Sequence, residues 1–405
     1  MTLSCARRLT STLALMLWGC TSYSYDYHPD GSGIDAGTGA AAGGSGGSGH
    51  GGSGGVTGAG SGGSAGGGSA GSDGGPEPAY MNVVPHLNDP LATANARRLM
   101  HFLTDSYGHT ILSGQQELEY VEAVLAITGK EPALLGLDLI DYSPSRVAHG
   151  ATSNAAEEAI DWWRERGGIV TLAWHWNAPS HLIDQEGQEW WRGFYTNATS
   201  FDLAAALGDP SSAEYQEILR DIDAIAVPLK QIADADVPVL FRPLHEASGG
   251  WFWWGAHGSE PYLALWGLLH DRLTLVHGLH NLIWVWNGQS ASWYPGDATV
   301  DIVAEDIYAT KRVYSPELEK FENATTYSAA PKLVALSETG ALPDPDRLVD
   351  TGAAWSWFCG WSETQYISDE TWNEDAMKRK VYSHEYVTTL DELPDIASYP
   401  LAAER

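Results

Sequence analysis

Eight short apolar runs, amphipathic segments between several of them, and about 330 residues of ordinary composition after a biased N-terminal stretch predict a (β/α)8 barrel. The runs are Thr110–Gly114, Ala133–Ile140, Gly168–Trp176, Pro238–His245, Asn281–Asn287, Asp301–Tyr308, Lys332–Ser337 and Trp355–Trp361. Each is bounded by turn-forming residues and is apolar almost throughout, the pattern of a strand buried on both faces of a parallel sheet. Asn154–Arg166, Ala213–Ala235 around Pro228, and Tyr262–His277 read as helices between them. The interval from Asn287 to Asp301 is too short for a full helix. The interval from Trp176 to Pro238 is long, and its first part, NAPSHLIDQEGQEWWRGFYTNATSFDL, has no clear period, which predicts a loop over the active face.

Residues ahead of the barrel read differently. Positions 1–19 carry Arg7 and Arg8 and then an apolar run, Leu13–Trp18, an export signal too short to span a membrane as a helix. Leu17, three residues before Cys20, and Gly19 immediately before it resemble a bacterial lipoprotein processing site, whose cysteine becomes the acylated mature N-terminus; Trp18 departs from the usual small residue. The expectation is a cell-surface or outer-membrane lipoprotein lipidated at Cys20, with an ordinary secreted protein as the alternative. Positions 20–75 then form a linker, since Gly31 to Gly75 holds 23 of the 45 glycines and almost no bulky side chain. As a free coil this tract would separate its ends by roughly 35–40 Å. The folded domain is expected at 76–405.

With Cys5 in the export signal and Cys20 taken up by the lipid, Cys359 is the one cysteine left, so an internal disulfide is excluded and a large core must stabilise the fold. Cys359 lies in an aromatic run and reads as buried filler. The net charge of −30 becomes −32 without Arg7 and Arg8, from 20 basic and 52 acidic residues. That excess argues against nucleic acid and for a neutral partner. A monomer is expected, with any membrane contact made only through the lipid.

Two of the runs deliver a carboxylate where the strand gives way to a glycine- and aromatic-rich loop: Glu246 closes PVLFRPLHE and Glu338 follows KLVALS. A single strand-end glutamate is usually no more than solvated, but these belong to the fourth and seventh runs, nearly opposite across an eightfold barrel. Glycosidic cleavage needs one carboxylic acid for the leaving oxygen and one carboxylate for the anomeric carbon, and the short separation gives retention. Arg242 and His245 beside Glu246, with Asp306 and Tyr308 at the end of the sixth run, are a cluster of polar groups that is costly on apolar strands unless hydrogen-bonded for a purpose.

FRPLHEASGGWFWWG (241–255) resembles the acid/base segment of glycoside hydrolase family 26, a clan A family of mostly β-mannanases, which places histidine where related families place asparagine. ILSGQQE (111–117), TLAWHWNAP (171–179), EDIYA (305–309), ALSETG (335–340) and WSWFCGW (355–361) extend the likeness over nearly all of the folded part. The resemblance implies Glu246 as acid/base, Glu338 as nucleophile, His245 as a ligand to sugar and to its neighbouring carboxylates, and Tyr308 as a donor to the nucleophile. It further implies that Asp306 orients a neighbouring donor, that His175 contacts sugar, that Trp361 forms the platform under the sugar being cleaved, and that Trp251 lines the leaving-group side. A structural aspartate, a core histidine and core tryptophans are the plain alternatives. Trp176 is a further aromatic in reach of the cleft, and Arg242 is placed to keep Glu338 ionised, while apolar neighbours such as Trp251 would keep Glu246 protonated.

The implied activity is a retaining endo-β-1,4-mannanase acting on mannan, glucomannan or galactomannan. Its alternatives are a mixed-linkage glucanase, a xylanase, an exo-acting mannobiohydrolase, or a non-catalytic surface glycan binder. No cofactor is required, and His175, His245 and Glu246 lack the spacing of a metal motif. The 18 tryptophans and 18 tyrosines against 7 phenylalanines suit a carbohydrate cleft.

Overall fold

A computed structural model describes residues 78–401. The expected export signal of residues 1–19, the expected lipidation site Cys20 and the glycine-rich stretch 20–75 lie outside the described residues. Ten strands form: β1 (Ile111–Leu112), β2 (Gly114–Gln116), β3 (Leu134–Asp138), β4 (Ile169–Trp174), β5 (Val239–Pro243), β6 (Leu282–Trp286), β7 (Ile302–Ile307), β8 (Val334–Thr339), β9 (Phe358–Gly360) and β10 (Val387–Thr388). Strands β2 to β9 close in chain order into an eight-stranded parallel barrel. The fourth and seventh barrel strands are therefore β5 and β8. IVTLAW in β4 and LIWVW in β6 are buried at every position, one side filling the barrel and the other packing under helices.

The predicted helices form at Ala155–Arg166, Ala213–Asp234 and Ser259–Asp271. Gly167 ends the first at φ 72°, a left-handed backbone that glycine adopts without strain. Ser212 caps the second by accepting from Tyr215 N, and that helix runs on through Pro228. The third continues directly into a π-helical turn, Arg272–Val276. Only a 3-10 turn, Ala291–Trp293, lies between β6 and β7. The long interval after β4 is a loop with two 3-10 turns, Trp190–Arg192 and Thr196–Ala198, before its helices begin.

One strand differs from expectation. The apolar pair Ile111–Leu112 pairs with β10 outside the barrel, and the first barrel slot is taken by Gly114–Gln116. Polar residues can occupy that slot because Gln115 Nε2 donates to the carbonyls of Gln116 (3.0 Å) and Trp361 (3.2 Å). Apolar pattern alone therefore misplaces this strand by a few residues.

The two ends of the barrel are shaped by separate local features. Along β7 and β8 the partners run Glu305 to Leu336 and then Asp306 to Glu338, so Ser337 is an extra residue in a β-bulge. The register with β9 shifts over the same stretch. At the other end of the barrel, Asn88 bonds to Asp301 and Val300 just before β7, and Thr93 N donates to His280 O just before β6. The N-terminal segment thus crosses the strand starts, away from the strand ends that carry the glutamates.

Candidate active site

Beyond Pro243 the chain takes left-handed backbone at Leu244 (φ 52°) and again at Glu246 (φ 53°). For residues with a Cβ each such conformation costs roughly 1–2 kcal/mol. Neighbouring bonds hold it: Glu246 N donates to Asn287 O at 2.7 Å, and Trp254 Nε1 donates to His245 O at 2.8 Å. The result is a buried Glu246 carboxyl whose Oε2 accepts from Trp251 Nε1 at 2.9 Å. The Trp251 ring lies flat against Gly249, where a Cβ would come within 2.0 Å of it. Trp251 thus gives Glu246 a hydrogen-bond donor, which works against the expectation that it helps keep the acid protonated. A donor favours the carboxylate, and burial is what favours the proton.

Glu338 is equally buried, and both of its oxygens are held. Arg242 Nη2 donates to Oε1, Tyr308 Oη donates to Oε2 at 2.7 Å, and His245 Nε2 lies 3.9 Å from Oε1. The other arm of Arg242 donates to Asp306 Oδ2 at 2.9 Å, so Asp306 orients the guanidinium. Burial works against the Arg242 charge, but Asp306 and Glu338 hold its proton more firmly than usual. Burial likewise pushes the Asp306 carboxyl up to about 7, with Arg242 opposing and Glu338 adding to the rise. Donor atoms of His245, Asp306 and Glu338 lie within 4.8 Å of one another, a spacing that could suit a metal ion. Arg242 already donates to both carboxylates there and supplies the positive charge that such an ion would bring.

Burial, then Arg242, then His175 drive the His245 imidazole well below its usual value, so it is neutral at pH 7. Its Nε2 meets His175 Nε2 at 3.1 Å, and His175 Nδ1 is bonded to Asp138 Oδ2. Burial alone would raise the Asp138 carboxyl, but attraction to the His175 ring and the donors around it bring it below the usual range. Trp361 closes the arrangement at the end of β9, its ring 6.1 Å from that of His175 and 6.3 Å from that of Tyr308.

Of the residues singled out in the sequence, Glu246, Glu338, Arg242, His245, His175, Asp306, Tyr308, Trp251 and Trp361 meet at this mouth. Trp176 does not. Its indole is fully buried, stacked on Trp174 at 4.2 Å, and donates to Asp221 Oδ2 at 2.9 Å, so it braces the wall and offers no face to a sugar. Cys359 is buried in β9, as filler would be.

Several residues at the mouth went unrecognised. Asp138 ends the apolar strand LLGLD as Glu246 ends its own, and the same strand-end criterion finds it. Glu117, with φ 64°, follows β2; burial, then Asp138, push its carboxyl up to about 7. Tyr195 comes from the long loop, which Thr196 ties to the Glu246 loop by donating from N to Trp251 O and from Oγ1 to Gly250 O, both at 2.8 Å. Its phenol is pushed up first by burial and then by Glu246, Glu363 and Glu338, against Arg192. No periodic signal marks such a loop residue.

A closed parallel barrel with two buried glutamates at the carboxyl ends of its fourth and seventh strands defines a glycoside hydrolase of the barrel class. Residues 88–392 match glycosyl hydrolase family 26. The chain is 51% identical over 307 residues to a mannan endo-1,4-beta-mannosidase of Thermothelomyces thermophilus, covering 76% of this chain and 63% of that one. It is 33% identical over 320 residues to mannan endo-1,4-beta-mannosidase B of Piromyces sp, covering 76% and 54%. Among solved structures, the GH26-CBM35 beta-(1,4)-mannanase of Podospora anserina superposes with a TM-score of 0.77 at 48% identity, covering 80% of this chain and 72% of that one. A ruminal GH26 endo-beta-1,4-mannanase gives 0.71 at 32% identity, covering 78% and 72%. The chain belongs to glycosyl hydrolase family 26. It spans less than two thirds of the length of either mannosidase, that of Thermothelomyces thermophilus or that of Piromyces sp.

Proposed function

We propose that this chain hydrolyses β-1,4-mannan, glucomannan or galactomannan at internal linkages, with retention of configuration. The observation that carries the reading is the unequal treatment of the two glutamates. Both oxygens of Glu338 accept hydrogen bonds, one from a guanidinium, which suits a carboxylate that must stay ionised to attack. Glu246, buried at the facing strand end, suits the acid. Glu338 attacks the anomeric carbon as Glu246 protonates the departing glycosidic oxygen, leaving a glycosyl ester on Glu338. Glu246, now a carboxylate, takes a proton from water, whose oxygen attacks the same carbon and releases the sugar with Glu338 restored. Relatives named as mannan endo-1,4-beta-mannosidases support mannan as the substrate.

Purified protein incubated with galactomannan, barley mixed-linkage glucan and xylan tests this. New reducing ends from galactomannan, in a ladder of oligosaccharides, are expected; release of mannobiose alone or preference for another glycan overturns the endo-mannanase reading, and no product from any of them overturns enzymatic function.

We also propose that the protein is exported, monomeric, and held to a bacterial surface by acylation at Cys20, on the support of the Leu17–Cys20 pattern and the glycine-rich tract after it. Radioactive fatty acid should label the wild type and not Cys20→Ala; equal labelling of both rejects it.

A further inference from the structure

We infer that Ser337 and Asn287 are positioning residues for the reaction: they hold the bulge of β8 so that Glu338 meets Arg242, and they couple that arrangement to the loop carrying Glu246. The inference rests on the roles proposed above for the two glutamates.

In an unbroken strand successive side chains point to opposite faces, so Ser337 and Glu338 could not both serve the barrel interior. The extra residue in β8 removes that restriction. Ser337, fully enclosed at 4% exposure, then has Asp306 Oδ1 2.7 Å from its Oγ and the Glu305 carbonyl at 3.2 Å. A hydroxyl has one proton to give, and the shorter, charge-assisted bond to Asp306 takes it. Its oxygen in turn accepts from Asn287 Nδ2 at 2.8 Å. An unbroken series runs from Asn287 to Ser337 to Asp306, with Arg242 donating to Asp306 on one side and to Glu338 on the other.

Asn287 also faces the other half of the site. It is completely buried just past β6, and its main-chain carbonyl is the acceptor for Glu246 N, the bond that helps fix the left-handed turn of that residue. One residue therefore contacts the backbone of the acid with its carbonyl and, with its amide, joins the series through Ser337, Asp306 and Arg242 to the nucleophile. The two functions are separable, because a side-chain substitution leaves the carbonyl in place.

The charged and titratable groups that face Asp306 are Arg242 and His245 from β5 and the residues after it, Glu338 from β8, and the Cys359 thiol from β9. Burial favours the proton on Asp306, while the bonds from Ser337 and Asn287 favour its loss. Without them Asp306 takes up its proton at higher pH, and Arg242 loses an anionic partner that aims it at Glu338. Turnover should then fall and the acidic limb of the pH profile should move upward, with substrate binding little changed.

Ser337→Ala and Asn287→Ala test this against wild type, on whichever of galactomannan, mixed-linkage glucan or xylan the wild type cleaves, with circular dichroism and thermal melting to check folding. Expected is a loss in kcat of about tenfold or more with KM within about threefold, and an acidic limb raised by ~0.5 pH unit or more. An unmoved limb, or kcat within about threefold of wild type, overturns the inference while leaving the function reading intact. Should Ser337→Ala not fold, Asn287→Ala is judged by the same criteria, and failure of both to fold is incompatible with a positioning role and overturns it too. A wild type that cleaves none of the three polysaccharides defeats the function reading, and the inference with it.

Discussion

The indole N–H of Trp251 donates to Glu246 Oε2 at 2.9 Å, so an aromatic residue of the cleft mouth is bonded directly to the proposed acid. That bond stabilises the charged form of Glu246. Trp251→Phe keeps most of the ring and deletes the donor, and the alkaline limb of kcat/KM should rise by ~0.5–1 pH unit while kcat falls about tenfold. A pH–rate profile checks it, and an alkaline limb that stays in place removes Trp251 from the control of Glu246.

The two glutamates should fail in different ways. Glu338→Ala is expected to lose about 10⁴-fold or more in turnover, and azide should restore part of it with inverted product, read by NMR of the anomeric proton. Glu246→Ala should keep appreciable rates only on aryl glycosides with good leaving groups. Equal losses on every leaving group would take the acid role from Glu246.

Asp138 makes a pH-dependent contribution to stability. Its carboxyl is held below the usual range in the folded protein, chiefly by His175 against the effect of burial. The stabilisation is therefore present above about pH 4, where the unfolded carboxyl is ionised, and is lost as pH falls through the lower folded value. Asp138→Asn should cost about 1–3 kcal/mol at pH 7 and less at pH 3. Urea unfolding at both pH values measures the difference; an equal cost at each contradicts the assignment.

Glu305 runs the opposite way. Burial pushes it from 4.5 up to about 7, although Tyr327 Oη donates to it at 2.9 Å. The unfolded chain releases this proton near 4.5 and the folded chain only near 7, so stability falls as pH rises across that window. Glu305→Gln keeps the acceptor for Tyr327 without the charge. At pH 8 it should be more stable than wild type by about 2–3 kcal/mol, with the gain gone by about pH 4. Thermal melts at both pH values decide it.

The strands legible in the sequence are those that bury apolar side chains on both faces. VLFRP of β5 and LIWVW of β6 appear as runs because nothing polar interrupts them until the strand end. GQQ of β2 was not legible, since its glutamines are satisfied by the barrel's own carbonyls and carry no apolar signature. The same division holds at the site. Glu246 and Glu338 stand out as carboxylates closing apolar strands, and Asp138 obeys the same rule without having been read by it. Position alone puts Trp176 near the cleft, yet its fully buried indole reaches Asp221 on the helix Ala213–Asp234, a partner 45 residues away that no local pattern reveals. Ser337 acquires its contact from a bulge, and a bulge is a relation between two strands that one strand's residues do not disclose.

The bonds from Asn88 and Thr93 to the strand starts have a spatial corollary. Asp306, the register partner of the proposed nucleophile Glu338, lies five residues beyond Asp301, so the nucleophile stands roughly 17 Å along the strands from that attachment. The segment from Asn88 to Thr93 therefore joins the fold at the strand starts, on the side of the barrel opposite the strand ends that carry the two glutamates.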